Sequence, residues 1–233
     1  MRKAIPNTLT LLNLFCGCIA VIFTVKDDFV IAAIFVFLGI FFDFFDGFAA
    51  RKLNVQSELG LQLDSLADVV TSGVVPGLIM FKLLEITHSS WDAFNVMPFL
   101  GLSITLASAY RLAKFNIDEE QQNYFKGLPT PANALLILSL PLIMEYQNND
   151  IINGIILNKW FLLAVIVFSC YILNASVKLF ALKFKNFGFA DNVVRYVFLI
   201  LSLVLIIVLQ FAAIPLIILL YISLSILNNF TSN

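Results

Sequence analysis

Charge is what this sequence has least of. Only 12% of its 233 residues are charged, about half the share usual in a soluble domain. Against that, 61% are hydrophobic, more than a single soluble core of this size can absorb, whereas lipid can. The net charge of -1 points to no partner, and no nucleic-acid partner is expected. Cysteine is scarce as well. Cys16, Cys18 and Cys170 lie in apolar stretches, and the first two point in different directions on a helix. They are read as packing residues, which excludes a disulfide framework and a thiolate metal site. The lone histidine, His88, sits in the short polar loop His88-Ser89-Ser90 without a second ligand of its kind, and no chemistry is expected of it.

What the chain has instead is long apolar runs. Without a repeat or a hydrophilic domain to interrupt them, they predict an all-α integral membrane protein forming one transmembrane domain over residues 1–233. The expected spans are 8–25, 29–50, 58–86, 94–115, 130–146, 158–175, 193–209 and 211–228, about eight helices. Most reach the roughly 17–25 residues that cross about 30 Å of hydrocarbon. The basic start Met1-Arg2-Lys3 resembles a signal peptide, but no small-x-small site follows and polar Asn13 interrupts the apolar run.

Orientation follows from the 14 basic residues. With the N-terminus inside, Arg2, Lys3, Arg51, Lys52, Arg111, Lys114, Lys126, Lys178, Lys183, Lys185 and Arg195 are cytoplasmic, leaving only Lys26, Lys82 and Lys159 outside. That asymmetry predicts both termini in the cytoplasm of a multi-pass protein of the cell (inner) membrane. The hydrophilic run Asp118-Glu119-Glu120-Gln121-Gln122-Asn123 is then a solvated cytoplasmic loop.

Four aspartates break the pattern. Asp43-x-x-Asp46-Gly47-x-x-Ala50-Arg51 is followed, eight residues later, by Gly60-x-x-x-Asp64-x-x-x-Asp68. A helix turns about 100° per residue, so spacings of three and four place each pair on one face. One acidic residue at the centre of a membrane helix costs roughly 2.5–3.5 kcal/mol on insertion scales. Four together would also repel one another without a cation between them. An oxygen-ligand site for a divalent metal resolves both difficulties. Gly47 and Gly60 remove side chains where a ligand or helix must come close, and Ala50 keeps the wall small. Arg51 supplies a fixed cation able to grip phosphate. Metal and arginine against phosphate suggest phosphoryl-group chemistry, with a remaining carboxylate free to take a proton from an alcohol.

The spacing matches the signature of the CDP-alcohol phosphatidyltransferase family, which this stretch (43–68) resembles at every defined position. The resemblance implies a six-helix membrane core, here followed by two C-terminal helices, in a homodimer with a site facing the cytosol. It implies transfer of a phosphatidyl group from a CDP-linked lipid to an alcohol with release of CMP, assisted by Mg²⁺ or Mn²⁺, two ions per site. Carried over residue by residue, Asp43, Asp46, Asp64 and Asp68 are metal ligands, and Asp68 is also the catalytic base. Gly47, Ala50, Arg51 and Gly60, with Asn7 and Thr10, bind the CDP-lipid.

Three further stretches resemble the family's phosphatidylserine synthase branch: Ile5 to Thr10, Leu63 to Val70, and Tyr110 to Asn116 followed by Phe125 to Pro131. The chain departs from that branch at Thr71-Ser72-Gly73, where Ser-Phe-Gly is expected. The branch implies CDP-diacylglycerol and L-serine as substrates, in contact with membrane lipid, and Arg111, Asn116 and Lys126 on the acceptor side. An arginine can hold the carboxylate of an amino acid by two parallel hydrogen bonds, although Arg111 and Lys114 read equally as positive-inside anchors. Two other readings stand beside this one. The same chemistry could use glycerol 3-phosphate or inositol phosphate, since Arg111, Lys114 and Lys126 could meet a phosphate dianion. A cation-coupled transporter would also hold intramembrane carboxylates, but such sites sit near the midplane between repeats.

Overall fold

The computed structural model describes residues 4–87, 96–117, 125–147, 149–179, 188 and 192–231. His88, the loop Asp118–Asn123 and the lysines at 183 and 185 lie outside these residues. The described residues are helical almost throughout. Helix α1 (Ala4–Val25) and α2 (Phe29–Lys52) form a hairpin around Asp28, whose side chain caps α2 by accepting from the Ile31 N–H. The next helical stretch, Glu58–Ile86, comprises α3 (Glu58–Asp68), a π-helical turn (Val69–Val74) and α4 (Val75–Ile86). A 3-10 turn (Met97–Leu102) leads into α5 (Ser103–Ile117), and α6 spans Thr130–Gln147.

Helix α7 (Asp150–Ile156) precedes α8 (Lys159–Asn174) at an angle of 59°. The apolar run predicted only α8. Two asparagines divide the segment: Asn149 caps α7 and Asn158 caps α8, each accepting from two backbone N–H groups. The C-terminal helices are α9 (Val193–Leu209) and α10 (Ala213–Thr231). The chain reverses between them at Gln210, which adopts a φ of 48°, and the rings of Phe198 and Tyr221 meet across the hairpin at 5.6 Å. Two short strands, β1 (Phe125–Lys126) and β2 (Lys178–Leu179), pair antiparallel.

By length and composition, four helical stretches can cross a bilayer (Ala4–Val25, Phe29–Lys52, Glu58–Ile86 and Val193–Leu227), or five with the bent pair α7–α8. This is a multi-pass membrane protein, and the eight crossings expected are not fixed by that test. α5 has only 15 residues in α-helix, and α6 carries Asn133, Glu145 and Gln147. Outward faces are apolar as lipid requires: Phe41, Phe44, Leu203, Ile207 and Val208 are each more than half exposed. The core runs from α1 and α2 through α4 to α6 and α8, with Val36, Ile79, Leu83, Ile137 and Leu162 fully buried. A second cluster joins α10 to α6, α8 and β2 through Ile218, Ile222, Leu136, Ile172 and Leu179. All three cysteines are free.

Polar contacts sort the helix ends into two groups. At one end Asn116 of α5 meets Ser65 of α3, Arg111 meets the C-terminal turn of α8, and Asn229 of α10 donates to Lys178 O. At the other, Lys82 pairs with Asp27 at 3.1 Å, and Gln147 Nε2 donates to Leu209 O. The aspartate motif belongs to the first end.

Candidate active site

The eight residues between Arg51 and Gly60 form a reversal. Asn54, in the left-handed region at φ 52°, ends α2; its N–H donates to Arg51 O and the N–H of Val55 donates to Ala50 O. This double closure satisfies the last carbonyls of α2. Ser57 then caps α3 by accepting from the Gly60 N–H at 3.1 Å. The turn therefore brings the ends of α2 and α3 side by side, and Asp43, Asp46 and Asp64 converge so that one oxygen of each lies within 4.8 Å of the others.

Helix α1 supplies the opposing wall. Its buried stripe, Pro6, Thr10, Asn13, Gly17, Ala20 and Thr24, steps by three and four residues. Thr10 Oγ1 donates to Asp46 Oδ2, and Asn13 Nδ2 donates to Asp68 Oδ1 at 3.2 Å. Asp68 is 8% exposed and stands outside the group formed by the other three aspartates. Sequence reasoning used Asn13 only as a break in an apolar run. Its register, three residues after Thr10, was the signal that both reach the same site.

Between α1, α2 and α3 lies a cavity of about 480 Å³, within the range of small-molecule sites. Asn7, Thr10, Gly47, Ala50, Arg51 and Gly60, all expected to bind the CDP-lipid, line it together with Asp46 and Asp64. Asp43 and Asp68 are not among the residues that line it. A Cβ at Gly60 would stand 3.4 Å from Asn7 Oδ1, so the missing side chain keeps this corner open.

The carboxylates fit a divalent cation. Three converge from two helices, and buried Asp64 Oδ1 has no hydrogen-bond partner among the described residues. A buried carboxylate oxygen left unpaired is costly, and hard divalent cations take oxygen ligands of this kind.

The expected acceptor residues separate. Asn116 and Ser65 exchange hydrogen bonds one position from Asp64, which puts Asn116 beside α3. Arg111 is held elsewhere. Its Nη1 donates to Lys126 O and Leu173 O, and its Nη2 donates to Gly127 O. Among the described residues, the cavity it shares with Lys114 and Lys126 is about 20 Å³, room for a water rather than an amino acid. Gly127 turns here with φ 73°, and a Cβ on it would strike Leu173 O at 2.7 Å. The guanidinium thus ties α5 to the β1 turn and the end of α8. Three of its five N–H donors go to backbone carbonyls, a clamp the sequence reading did not foresee.

A carboxylate cluster and an arginine around one cavity at the end of a helical membrane bundle define a membrane enzyme of phosphate-ester chemistry. The model of the family described as CDP-alcohol phosphatidyltransferase matches residues 3–172, and the chain belongs to that family. Among curated relatives, the CDP-diacylglycerol–serine O-phosphatidyltransferase of Bacillus subtilis (strain 168) is 35% identical over 155 residues, covering 65% of this chain and 80% of the relative. The protein of the same name from Methanocaldococcus jannaschii is 33% identical over 149 residues, 64% of this chain and 66% of its own. That from Saccharomyces cerevisiae (strain ATCC 204508 / S288c) is 37% identical over 148 residues, 57% of this chain and 51% of its own. The chain thus spans about two thirds of the second and half of the third.

Proposed function

We propose that this protein transfers the phosphatidyl group of CDP-diacylglycerol to the hydroxyl of L-serine, giving phosphatidylserine and CMP. The observation that carries this reading is the single cavity on which six residues of the family pattern meet, with two motif aspartates in its wall. Serine as acceptor follows the activity for which the relatives are named.

The residues divide the work. Arg51 grips the diphosphate, with Gly47 and Ala50 leaving room beside it, while Asn7, Thr10 and Gly60 line the nucleotide side. Asp43, Asp46 and Asp64, with Asp68 as the fourth, would hold Mg²⁺ or Mn²⁺, two ions per site, which supply charge neutralisation at the diphosphate. Asp68 takes the serine proton as the serine oxygen bonds to the lipid-side phosphorus. The bond from that phosphorus to the bridging oxygen breaks, the electron pair leaves with CMP, and no phosphatidyl-enzyme forms. Asn116 and Lys126 face the acceptor side, and Arg111 holds the turn that carries Lys126.

The two groups of helix ends support eight crossings: a six-helix core (α1, α2, α3–α4, α5, α6, α8) followed by α9 and α10. With the distribution of basic residues, they support a site and both termini at the cytoplasmic face of the cell (inner) membrane. The active unit is a homodimer.

An acceptor screen tests the reaction. Purified protein in detergent should release CMP from CDP-diacylglycerol when serine is added. Faster release with glycerol 3-phosphate or inositol phosphate would assign a different acceptor.

A further inference from the structure

Asp68 is held differently from its three companions, and the device that holds it has three members. Asn13 is fully buried, and its Nδ2 donates to Asp68 Oδ1 at 3.2 Å. Its Oδ1 accepts in turn from the hydroxyl of Thr71, also fully buried, at 2.8 Å. A primary amide has one donor end and one acceptor end of nearly the same shape. Turned over, it would aim its oxygen at the carboxylate of Asp68 and its NH₂ at the Thr71 hydroxyl. An ionised carboxylate only accepts, which selects the orientation with the NH₂ toward Asp68, and the Thr71 hydroxyl, 2.8 Å from Oδ1 and 3.2 Å from the Asn13 backbone O, holds the oxygen end in place.

The surrounding backbone is shaped around this pair. A Cβ on Gly17 of α1 would lie 2.4 Å from Thr71 Oγ1. One on Gly39 of α2 would lie 2.7 Å from Thr71 Cγ2 and 2.8 Å from Asn13 Oδ1. Two helices are therefore bare where Thr71 and Asn13 meet. Thr71 itself lies in the π-helical turn that begins directly after Asp68, where the Val75 N–H bonds to Val70 O. Such turns widen a helix by one residue and re-aim the side chains that follow. Outside the turn, Thr105 Oγ1 takes up Gly73 O at 2.9 Å, so the irregular backbone is supported from α5.

We infer that Thr71 and Asn13 are positioning residues for Asp68, the Thr71 hydroxyl fixing the Asn13 amide so that it holds and aims the carboxylate. The inference rests on the reading of Asp68 as the proton acceptor. It concerns turnover rather than binding, because neither residue lines the cavity assigned to the CDP-lipid.

The test measures kcat, both KM values and Tm for Thr71→Val, Thr71→Ser, Asn13→Asp and Asp68→Asn, and for Thr71→Val combined with Asp68→Asn. Thr71→Val should lower kcat about tenfold, the rate equivalent of one orienting hydrogen bond, with the CDP-diacylglycerol KM within about twofold of wild type. Thr71→Ser should keep most of the activity. In the Asp68→Asn background Thr71→Val should have no further effect, since the group it positions is gone. If Thr71→Val does not fold, Asn13→Asp, which replaces the donor by an acceptor at the same size, carries the kcat test. Unchanged kcat in a folded Thr71→Val, or an equal loss with and without Asp68, overturns the inference while leaving the Asp68 base intact. Near-normal turnover of Asp68→Asn itself overturns the base, and this inference with it.

Discussion

The guanidinium of Arg51 lies against the bare face of Gly47, four residues earlier on α2; a methyl group at position 47 would stand 3.5 Å from Nη1 and 3.7 Å from Nη2. That is ordinary contact, so Gly47→Ala should fold normally, yet it takes space beside the cation that meets the diphosphate. Its CDP-diacylglycerol KM should rise at near-normal Tm. Arg51→Ala should cut kcat/KM for the CDP-lipid by at least tenfold, since a charge-assisted hydrogen bond is worth about 1.5–3 kcal/mol. Kinetics in which Arg51→Ala changes only the serine KM would put the arginine on the wrong substrate.

Removing divalent metal should abolish turnover. Three carboxylates whose oxygens lie within 4.8 Å repel one another unless a cation or proton intervenes. Stripping with a chelator should also lower Tm, because a ligand bound only by the folded state stabilises it. Both losses should reverse on adding Mg²⁺ or Mn²⁺. Full CMP release in excess chelator rules the metal out.

Asp68→Asn preserves size and the contact position of the carboxylate but removes the base. Turnover should fall by about 10²–10⁴, with CDP-diacylglycerol binding, measured separately, retained. Trapping a phosphatidyl-enzyme in any variant would exclude direct displacement.

Arg111→Ala should act on stability before kinetics. It would strip the guanidinium from three backbone carbonyls, and each buried polar group left unpaired costs about 1–3 kcal/mol. Arg111→Lys should rescue little, because one ammonium cannot reproduce the planar fork. A well-folded Arg111→Ala with only a raised serine KM would restore the residue to the acceptor site.

Two glycines give a paired test of packing. Gly17→Ala would place its methyl 2.4 Å from Thr71 Oγ1 and 3.1 Å from Thr71 backbone, so Tm should drop markedly. At Gly154 in α7 a Cβ meets nothing within 4 Å. Gly154→Ala should be neutral or stabilise by about 0.5–1 kcal/mol through the helical preference of alanine. Equal effects at the two positions would contradict the close approach of α1 to the π-helical turn.

The sequence alone determined the membrane class and the aspartate motif, and the set around Gly47, Ala50, Arg51 and Gly60 came with the family pattern that this motif resembles. These are local matters: apolar length marks a span, and helical periodicity puts residues three or four apart on one face. Only the tertiary structure decided which faces meet. The small and polar stripe on α1 marks which face turns inward but not what that face meets, so nothing in the sequence tied Asn13 to Asp68, 55 positions away, or Thr10 to Asp46, 36 away. The same gap hid the role of Arg111, whose partner Leu173 lies 62 positions on. A cation near a helix end reads alike as an anchor, a ligand or a clamp. The choice depends on which carbonyls the folded chain brings within reach of its donors, and in a bundle that is set by packing between helices distant in sequence.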